Sequence, residues 1–268
     1  MKKVLTIAGS DSSGGAGIQA DLKTMTMHGV YGMSVITALT AQNTTGVAGV
    51  MPVTPEFIQL QMASVFSDIC PDAIKIGMLA QKDIIEAIAE FFERERTSMQ
   101  NIPVVLDPVM VTTSGCSLME QSASRAMMEQ LFPWATLITP NIPEAEALTG
   151  ATITNFSDME REAKALEQRF GCSVLIKGGH CREGASDVLC TKGQTHWFNG
   201  EILSNPNKHG TGCTLSSAIA SNLVLGRDLV ESCARAKRYV EHSIGANLNL
   251  GAGSGPLNHM AAGRLEID

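Results

Sequence analysis

The sequence has no strongly basic stretch and no long apolar run. Its 268 residues carry a formal net charge of −7, which argues against nucleic acid and acidic membrane surfaces as partners. No run reaches the roughly 18 apolar residues that a transmembrane helix needs. The apolar run after Lys2 and Lys3 is too short for a signal peptide, because Asp11 follows it closely. We therefore expect a cytoplasmic protein that binds neither nucleic acid nor membranes.

Paired cysteine motifs are absent as well. The seven cysteines, Cys116 among them, are odd in number and form no C-x-x-C pair. This usage predicts free thiols in a reducing compartment and argues against a zinc site. His180, Cys181 and Cys190 are close in sequence, but their spacing is not that of a metal site.

The chain shows no internal repeat, linker or low-complexity segment. Residues 1–268 are therefore predicted to form one domain, a length that α/β folds reach as a single unit. Hydrophobic residues make up 44% of the chain and charged residues 18%, which are values typical of globular proteins. A chain of this size buries a large core without disulfides or a structural metal.

Short apolar runs alternate with helical patterns along most of the chain. The predicted strands are residues 4–8, 33–41, 73–76, 104–106, 137–139 and 174–176. The clearest predicted helices are residues 15–28, 55–67, 82–96, 211–226 and 228–248. Apolar strands with helices between them are typical of a parallel sheet covered on both faces. Residues 187–191 and 195–198 predict a hairpin at the sheet edge. The predicted fold class is therefore α/β, a three-layer sandwich whose central, mostly parallel sheet is flanked by helices and carries a small edge hairpin.

Polar or glycine-rich residues follow each predicted strand. Ligands of such sheets bind beyond the carboxyl ends of the strands, so we expect these residues to converge on one rim. They are Gly9 to Asp11, Gln42 and Asn43, Gly77 and Met78, Asp107 and Pro108, Pro140 and Asn141, and Lys177 to Gly179.

Two nucleotide-binding motifs nearly fit the first glycine-rich turn. Gly9 to Gly14 has the spacing of a P-loop, but Gly15 stands where the phosphate-binding lysine must be. Gly15 to Ala20 matches G-x-G-x-x-A, yet the second predicted strand ends without the acid that binds a ribose. A P-loop is therefore rejected, and an NAD-dependent oxidoreductase remains only as an alternative function.

The strongest local signal is the run from His209 to Thr214, which precedes a predicted helix and contains Gly210 and Gly212. Glycines at a helix N-terminus let backbone N–H groups approach an anion, and the helix dipole adds about half a positive charge there. Such a site stabilises a phosphoryl group during transfer. A plain glycine turn capped by Thr211 fits the same pattern. His209 is assigned no role.

Cys213 would lie in the first turn of that helix. The helix dipole is expected to lower the pKa of a thiol at this position from about 8.5. Cys213 would then be able to accept a proton from an attacking hydroxyl. A small buried thiol is the alternative, since that is the more common fate of cysteine.

Seven motifs, taken in order, carry a family resemblance. They are Ala8 to Asp21, Thr40 to Thr44, Lys75 to Leu79, Leu106 to Met110, Thr139 to Glu144, Ile176 to His180 and His209 to Thr214. Over about residues 3–259, the chain resembles the hydroxymethylpyrimidine/phosphomethylpyrimidine kinases of thiamine biosynthesis, in the ribokinase-like superfamily. The resemblance implies a ribokinase-like fold and a homodimer. It also implies two successive ATP-dependent phosphorylations in one site, first of 4-amino-5-hydroxymethyl-2-methylpyrimidine and then of its monophosphate.

The resemblance also assigns roles to residues around the phosphate. Gly210, Thr211, Gly212 and Cys213 correspond to the family's anion hole and catalytic base. Most of the superfamily has Asp at the position of Cys213, whereas the pyrimidine-kinase branch has Cys.

Metal and ATP contacts are implied in the same way. Asp107 and Glu144 correspond to the Mg²⁺ ligands, and Asp107, Asn141 and Lys177 to the residues at the ATP phosphates. Because Mg²⁺ usually keeps several waters, Glu144 is expected to act through one of them. For Glu144 the alternative is an ordinary acid at a helix N-terminus, and for Lys177 it is a solvated surface lysine. The resemblance leaves activation by K⁺ open.

On the substrate side, the resemblance points to Gln42, Asp21, Gly9 and Met78. A glutamine amide accepts from the exocyclic amine of an aminopyrimidine and donates to a ring nitrogen. Gln42 lies at the carboxyl end of a predicted strand, where a ligand belongs, and Met78 would pack on the ring. Asp21 lies inside the first predicted helix, where a solvent-facing acid is the alternative.

Two further functions are weighed against this one. A pyridoxal kinase on the same scaffold is the main alternative, because pyridoxal also carries a ring hydroxymethyl group. Gln42 favours the aminopyrimidine, since pyridoxal lacks the amidine-like edge that the amide matches. A non-catalytic binding protein is disfavoured, because a binder needs neither a base such as Cys213 nor a metal site.

Overall fold

The computed structural model describes residues 1–110, 120–179, 181 and 183–261. Cys116 and His180, both considered above, lie outside these ranges. The strands are β1 Lys3–Ala8, β2 Tyr31–Ile36, β3 Ala38–Asn43, β4 Gly46–Pro52, β5 Ala73–Ile76, β6 Val104–Leu106, β7 Leu137–Ile138, β8 Ser173–Ile176, β9 Asp187–Thr191 and β10 Gln194–Phe198. The α-helices are α1 Gly17–Met27, α2 Pro55–Asp68, α3 Lys82–Arg94, α4 Arg96–Met99, α5 Gln121–Ala126, α6 Ile142–Thr149, α7 Phe156–Phe170, α8 Thr211–Val224 and α9 Leu229–Gly245. A short π-helix at Met127–Leu131 and a 3-10 helix at Phe132–Trp134 follow α5 directly.

Among the described residues, eight strands form the central sheet, in the order β10-β9-β8-β7-β6-β5-β1-β2. The strands from β2 through β1, β5, β6 and β7 to β8 pair in parallel. The last two, β9 and β10, pair antiparallel at one edge. The predicted α/β class, with its mostly parallel sheet and edge hairpin, is therefore confirmed.

The apolar strands are explained by two cores, one on each face of the sheet. Leu5 and Ile7 of β1 pack into a core that α2, α3, α6 and α7 cover, whereas Val4 packs into a second core under α1, α8 and α9. Successive side chains of a strand point to opposite faces, so a strand covered on both faces is apolar at nearly every position. The two cores hold the carboxyl ends of the strands at one rim.

The strand predicted over residues 33–41 is wrong, because it consists of two strands that belong to different sheets. The chain leaves the central sheet after β2, and β3 pairs antiparallel with β4 in a separate two-stranded sheet. A continuous run rich in Val, Ile and Thr does not reveal where pairing changes. The exposed β4, with Gly46 and Gly49, has no apolar alternation to predict it. Gln42 therefore reaches the rim from a hairpin and not from the central sheet.

Some helices begin and end at residues with recognisable capping chemistry. Thr54 accepts the N–H of Phe57 at the start of α2, with Pro55 in the first turn. The left-handed residue Gly171, with φ of 69°, ends α7. Among the described residues, no helix combines the length and the apolar character needed to cross a membrane.

Candidate active site

The N-terminus of α8 lies at the rim of the sheet, under the first glycine-rich turn. Gly210 caps the helix with φ of 87°, and a Cβ there would collide with the carbonyl oxygen of Gly15. The position therefore requires glycine, both for its backbone angle and for the close approach. Within the described part of the chain, no group accepts from the N–H of Gly212 or Cys213. These N–H groups, at the positive end of α8, are suited to bind an anion.

A charged pair from two strand exits lies against the start of α8. Lys177 follows β8 and Asp107 follows β6. Lys177 Nζ donates to Asp107 Oδ1 at 2.6 Å, and Thr139 Oγ1 donates to the same oxygen at 3.1 Å. A Cβ on Gly212 would lie 3.0 Å from Asp107 Oδ2 and 3.3 Å from Lys177 Nζ. Burial alone would lower the pKa of Lys177, but Asp107 and Glu144 raise it above its ordinary value. Lys177 is therefore a half-buried cation of the rim and not a solvated surface lysine.

Asn141 and Glu144 form a capping box at the start of α6. Asn141 Oδ1 accepts the N–H of Glu144 at 2.9 Å, and Glu144 Oε2 accepts the N–H of Asn141 at 2.8 Å. Glu144 Oε1 accepts the N–H of Met110 at 3.3 Å. Burial, together with the charge of Asp107, raises the pKa of Glu144 to about 7, although Lys177 opposes the shift. Glu144 is thus both the capping acid of α6 and a neighbour of the charged pair.

The thiol of Cys213 differs from its prediction. Burial raises its pKa above the ordinary value, and the charges of Asp21 and Asp107 act in the same direction. Lys75 and the backbone of Gly17 oppose the shift but do not outweigh it. The expected lowering of the pKa by the helix dipole is therefore wrong, because the loss of water and two nearby carboxylates disfavour the thiolate.

Asp21 also differs from its prediction. Its side chain is 0% exposed and pairs with Lys75, which is equally buried. Oδ1 accepts from Lys75 at 3.0 Å and from Ser217 at 2.7 Å, whereas Oδ2 accepts from Lys75 at 2.9 Å and from Thr6 at 2.6 Å. These four bonds use the acceptor positions of the carboxylate. Asp21 has no surface left for a ligand, so both the direct substrate contact and the solvent-facing alternative are wrong.

Asp11 organises the first glycine-rich turn, a role that the sequence reasoning missed. Its Oδ1 accepts from the N–H and the hydroxyl of Ser13 at 2.9 and 2.7 Å. Its Oδ2 accepts from the N–H groups of Gly15 and Ala16 at 3.1 and 2.8 Å, and from His209 Nε2 at 2.8 Å. An Asp two residues before a Ser in a turn is a known local signal. The contact with His209 has no such signal, because it joins residues 198 positions apart.

The remaining predicted substrate residues lie on the hairpin side of this turn. Gln42 lies at an irregularity of the β3–β4 pairing, and Ser12 Oγ bonds both its N–H and its carbonyl at 2.8 Å. Its side-chain Nε2 is 3.3 Å from His209 Nε2. A Cβ on Gly9 would lie 2.6 Å from Met78 Cε, so the methionine covers this glycine. Gln42, Gly9 and Met78 therefore lie around the same turn.

The rim combines free helix N–H groups, a lysine–carboxylate pair and a thiol. This set can neutralise a transferring phosphoryl group. The thiol can accept a proton from a hydroxyl only in its ionised form, which its raised pKa makes the minor form at neutral pH. Within the described residues, no group of three or more His, Cys, Asp or Glu side chains forms a metal cage. Asp107 and Glu144 remain as oxygen donors for a cation that keeps water and phosphate ligands.

Comparison with known proteins places the chain near one family of kinases. The family described as phosphomethylpyrimidine kinase matches residues 11–258. The chain is 44% identical to the hydroxymethylpyrimidine/phosphomethylpyrimidine kinase of Haemophilus influenzae, over 99% of each chain. It is 50% identical to the thiamine biosynthesis bifunctional protein ThiED of Geobacter sulfurreducens over 97% of its own length. It spans only about half of that longer relative, 52%.

Solved structures lead to the same group of folds. The phosphomethylpyrimidine kinase of Clostridium difficile is 44% identical and superposes with a TM-score of 0.80, over 90% of this chain and 98% of that one. The pyridoxal kinase of Staphylococcus aureus in complex with AMP-PCP and pyridoxal is 33% identical, with a TM-score of 0.88 over 99% and 96% of the two chains. The shared fold therefore accommodates an ATP analogue together with a small ring alcohol in that neighbour.

Proposed function

The chain belongs to the phosphomethylpyrimidine kinase family, and from this premise we propose that it phosphorylates 4-amino-5-hydroxymethyl-2-methylpyrimidine and then its monophosphate, in thiamine biosynthesis. ATP is the phosphoryl donor. The observation that carries the proposal is the Lys177–Asp107 pair lying against Gly212, at the free N–H groups of α8. A NAD-dependent oxidoreductase has no use for this arrangement.

The γ-phosphoryl group would be transferred at the N-terminus of α8. The N–H groups of Gly212 and Cys213 and the helix dipole stabilise the negative equatorial oxygens, and Lys177 adds a full positive charge. Because these groups are already fixed by Gly210 and by Asp107, little reorganisation is needed during transfer.

Cys213 would take the proton of the hydroxymethyl group in the first phosphorylation. The proton passes from the substrate oxygen to the Cys213 thiolate while the oxygen bonds to the γ-phosphorus and ADP leaves. The raised pKa of Cys213 keeps most of the thiol protonated at neutral pH. In the second phosphorylation the attacking group is a phosphate oxygen that is already anionic, so the base matters less.

Asp107 and Glu144 would hold Mg²⁺ together with the phosphates. They are hard oxygen donors, and their mutual repulsion contributes to the raised pKa of Glu144. A divalent cation between them would remove that repulsion, which supports the fit. Bound Mg²⁺ neutralises charge on the transferring phosphate, while Asn141 fixes Glu144 through the capping box.

Gln42, Gly9 and Met78 would form the pyrimidine pocket. The Gln42 amide would bond the edge that carries the exocyclic amine and the adjacent ring nitrogen. Met78, which covers Gly9, supplies an adaptable apolar surface for the ring. Asp21 supports this site through its bonds to Lys75 and Ser217, and its charge also raises the pKa of Cys213.

A pyridoxal kinase on the same fold is the second candidate, favoured by the close superposition on the pyridoxal complex. It is less supported, because the identity of 33% to that kinase is below the 44% shared with phosphomethylpyrimidine kinases. The amide of Gln42 also matches an aminopyrimidine edge that pyridoxal lacks.

We further propose that residues 1–268 form one kinase domain, that it is a homodimer, and that it works in the cytoplasm. The continuous eight-stranded sheet supports one domain, and the free described cysteines suit a reducing compartment.

Leu39 and Met51, which pair across the β3–β4 hairpin, are both exposed. A second copy that covers this hairpin would remove apolar surface from water, so light scattering should report a dimer that Met51→Glu weakens.

Release of ADP with Mg²⁺-ATP tests the function. The aminopyrimidine and pyridoxal would be compared, and products would be followed by mass. Release of two ADP per pyrimidine, with pyridoxal much slower, supports the proposal, whereas turnover of pyridoxal alone overturns it. Gln42→Ala should raise KM for the pyrimidine and leave KM for ATP unchanged. Assays with and without K⁺ decide whether that ion activates the enzyme, which the sequence leaves open.

A further inference from the structure

Three side chains form a row from the glycine-rich turn to the substrate hairpin. Asp11 Oδ2 lies 2.8 Å from His209 Nε2, and the same nitrogen lies 3.3 Å from the side-chain nitrogen of Gln42. Asp11 is 3% exposed and His209 is 23% exposed. His209 therefore lies between the almost buried carboxylate of Asp11 and the Gln42 amide that would bind the substrate.

Asp11 determines which hydrogens His209 carries. Burial alone would raise the pKa of Asp11, but its bonds from Ser13 and His209 lower it, so the carboxylate is ionised near neutral pH. An ionised carboxylate only accepts hydrogen bonds. His209 Nε2 must therefore carry a hydrogen, whether the ring is neutral or charged.

The hydrogen on Nε2 in turn determines the orientation of Gln42. An Nε2–H group cannot accept a hydrogen bond from the amide nitrogen of Gln42. His209 Nε2 and Gln42 Nε2 would then be two donors facing each other at 3.3 Å. A half-turn of the amide exchanges its oxygen and nitrogen without moving any other atom. In that orientation the single hydrogen on His209 Nε2 is shared between Asp11 Oδ2 and Gln42 Oε1 as a bifurcated hydrogen bond, in which the nearer Asp11 is the principal acceptor. The amide NH2 group of Gln42 and the second lone pair of Oε1 are then available to bind a ligand.

The imidazole ring itself has little freedom. A Cβ on Gly15 would lie 2.6 Å from His209 Cδ2, so the ring rests directly on the turn. The N–H of His209 donates to the carbonyl of Gly255 at 3.3 Å. Ser12 holds the backbone of Gln42 on the other side. The row is therefore fixed at both ends.

We propose that His209 is a positioning residue that locks the Gln42 amide in one orientation, so that the site accepts a 4-aminopyrimidine edge and rejects a 4-oxo edge. The amino edge offers the exocyclic N–H donor beside a ring-nitrogen acceptor. The donor pairs with Gln42 Oε1, and the ring nitrogen accepts from the amide NH2 group of Gln42. The 4-oxo analogue offers an acceptor beside an N–H donor, and only a flipped amide matches it. The inference deepens the proposed function and rests on a direct hydrogen-bonding contact between Gln42 and the pyrimidine.

The test compares kcat/KM for the 4-amino substrate and its 4-oxo analogue, 5-hydroxymethyl-2-methylpyrimidin-4-one. His209→Phe keeps a ring over Gly15 but removes the donor, so the amide is free to flip. The ratio of the two kcat/KM values is expected to fall by about tenfold or more. His209→Gln, which retains an N–H donor, should keep the preference, and KM for ATP should stay unchanged in both variants.

Two controls separate this inference from the function on which it rests. Gln42→Ala should remove discrimination in the wild-type and His209→Phe backgrounds alike; if it leaves pyrimidine kinetics intact, the proposed substrate contact itself fails. Ser12→Ala loosens the hairpin without freeing the amide, so both substrates should lose rate equally. An unchanged ratio in His209→Phe, with Gln42→Ala still damaging, overturns the inference alone. If His209→Phe does not fold, His209→Leu provides the same comparison.

Discussion

Replacing Asp21 by Ala tests whether the buried network is structural. The change leaves the Lys75 ammonium, which is 0% exposed, without the two bonds of 3.0 and 2.9 Å that now neutralise it. Thr6 and Ser217 also lose the acceptor of their hydroxyl groups. Breaking one side of a buried ion pair costs about 3–5 kcal/mol. We therefore expect the free energy of unfolding to fall by about this amount, a large share of the roughly 5–15 kcal/mol of a typical domain.

Urea unfolding at low temperature measures the loss, with the midpoint shifted and the slope unchanged. The matched control replaces both partners, Asp21→Leu with Lys75→Met, which removes the charges together. Because no uncompensated charge then remains, the double variant should be clearly more stable than Asp21→Ala. The reasoning is refuted if Asp21→Ala loses less than about 1 kcal/mol and mainly raises KM for the pyrimidine. That result would restore Asp21 as a direct substrate contact.

Three further predictions concern the base, the ATP contact and the response to acid. Cys213→Ala should slow the first phosphorylation by about 10²-fold or more and the second by less, and quenched-flow assays that show equal losses would indicate a damaged anion hole instead. Lys177→Ala should raise KM for ATP, and unaltered ATP kinetics would remove Lys177 from the phosphate site. Burial lowers the pKa of His259 to about 4 from its ordinary 6.5, and the charge of Lys23 adds to the shift. The unfolded chain therefore binds more protons between these values, and the free energy of unfolding should fall as pH drops from about 6.5 to about 4. Urea titrations should show a flatter pH dependence for His259→Gln, and parallel slopes would contradict the assignment.

Much of the fold was predictable from the chain alone. Apolar runs such as residues 73–76 and 104–106, with helices between them, predicted the parallel sheet, and the structure confirms it. The polar exits Asp107 and Lys177 meet at the rim because the carboxyl ends of parallel strands share one edge. The break at Thr37 could not be predicted, because the pattern of side chains does not tell which neighbouring strand a segment pairs with.

The sequence by itself determined most elements of the central sheet and the α/β class, because periodicity and glycine positions are local properties of the chain. Its ordered motifs carried the resemblance to the kinase family, but its local pattern did not reveal the β3–β4 hairpin. Tertiary structure alone decided the environments of the site residues. Asp21 became the partner of Lys75, 54 positions away, and Asp11 became the partner of His209, 198 positions away. The pKa of Cys213 rises because folding removes water and brings carboxylates near, and it does so against a helix dipole that was visible from the sequence. Burial and pairing depend on distances between remote residues, and those distances exist only once the chain is folded.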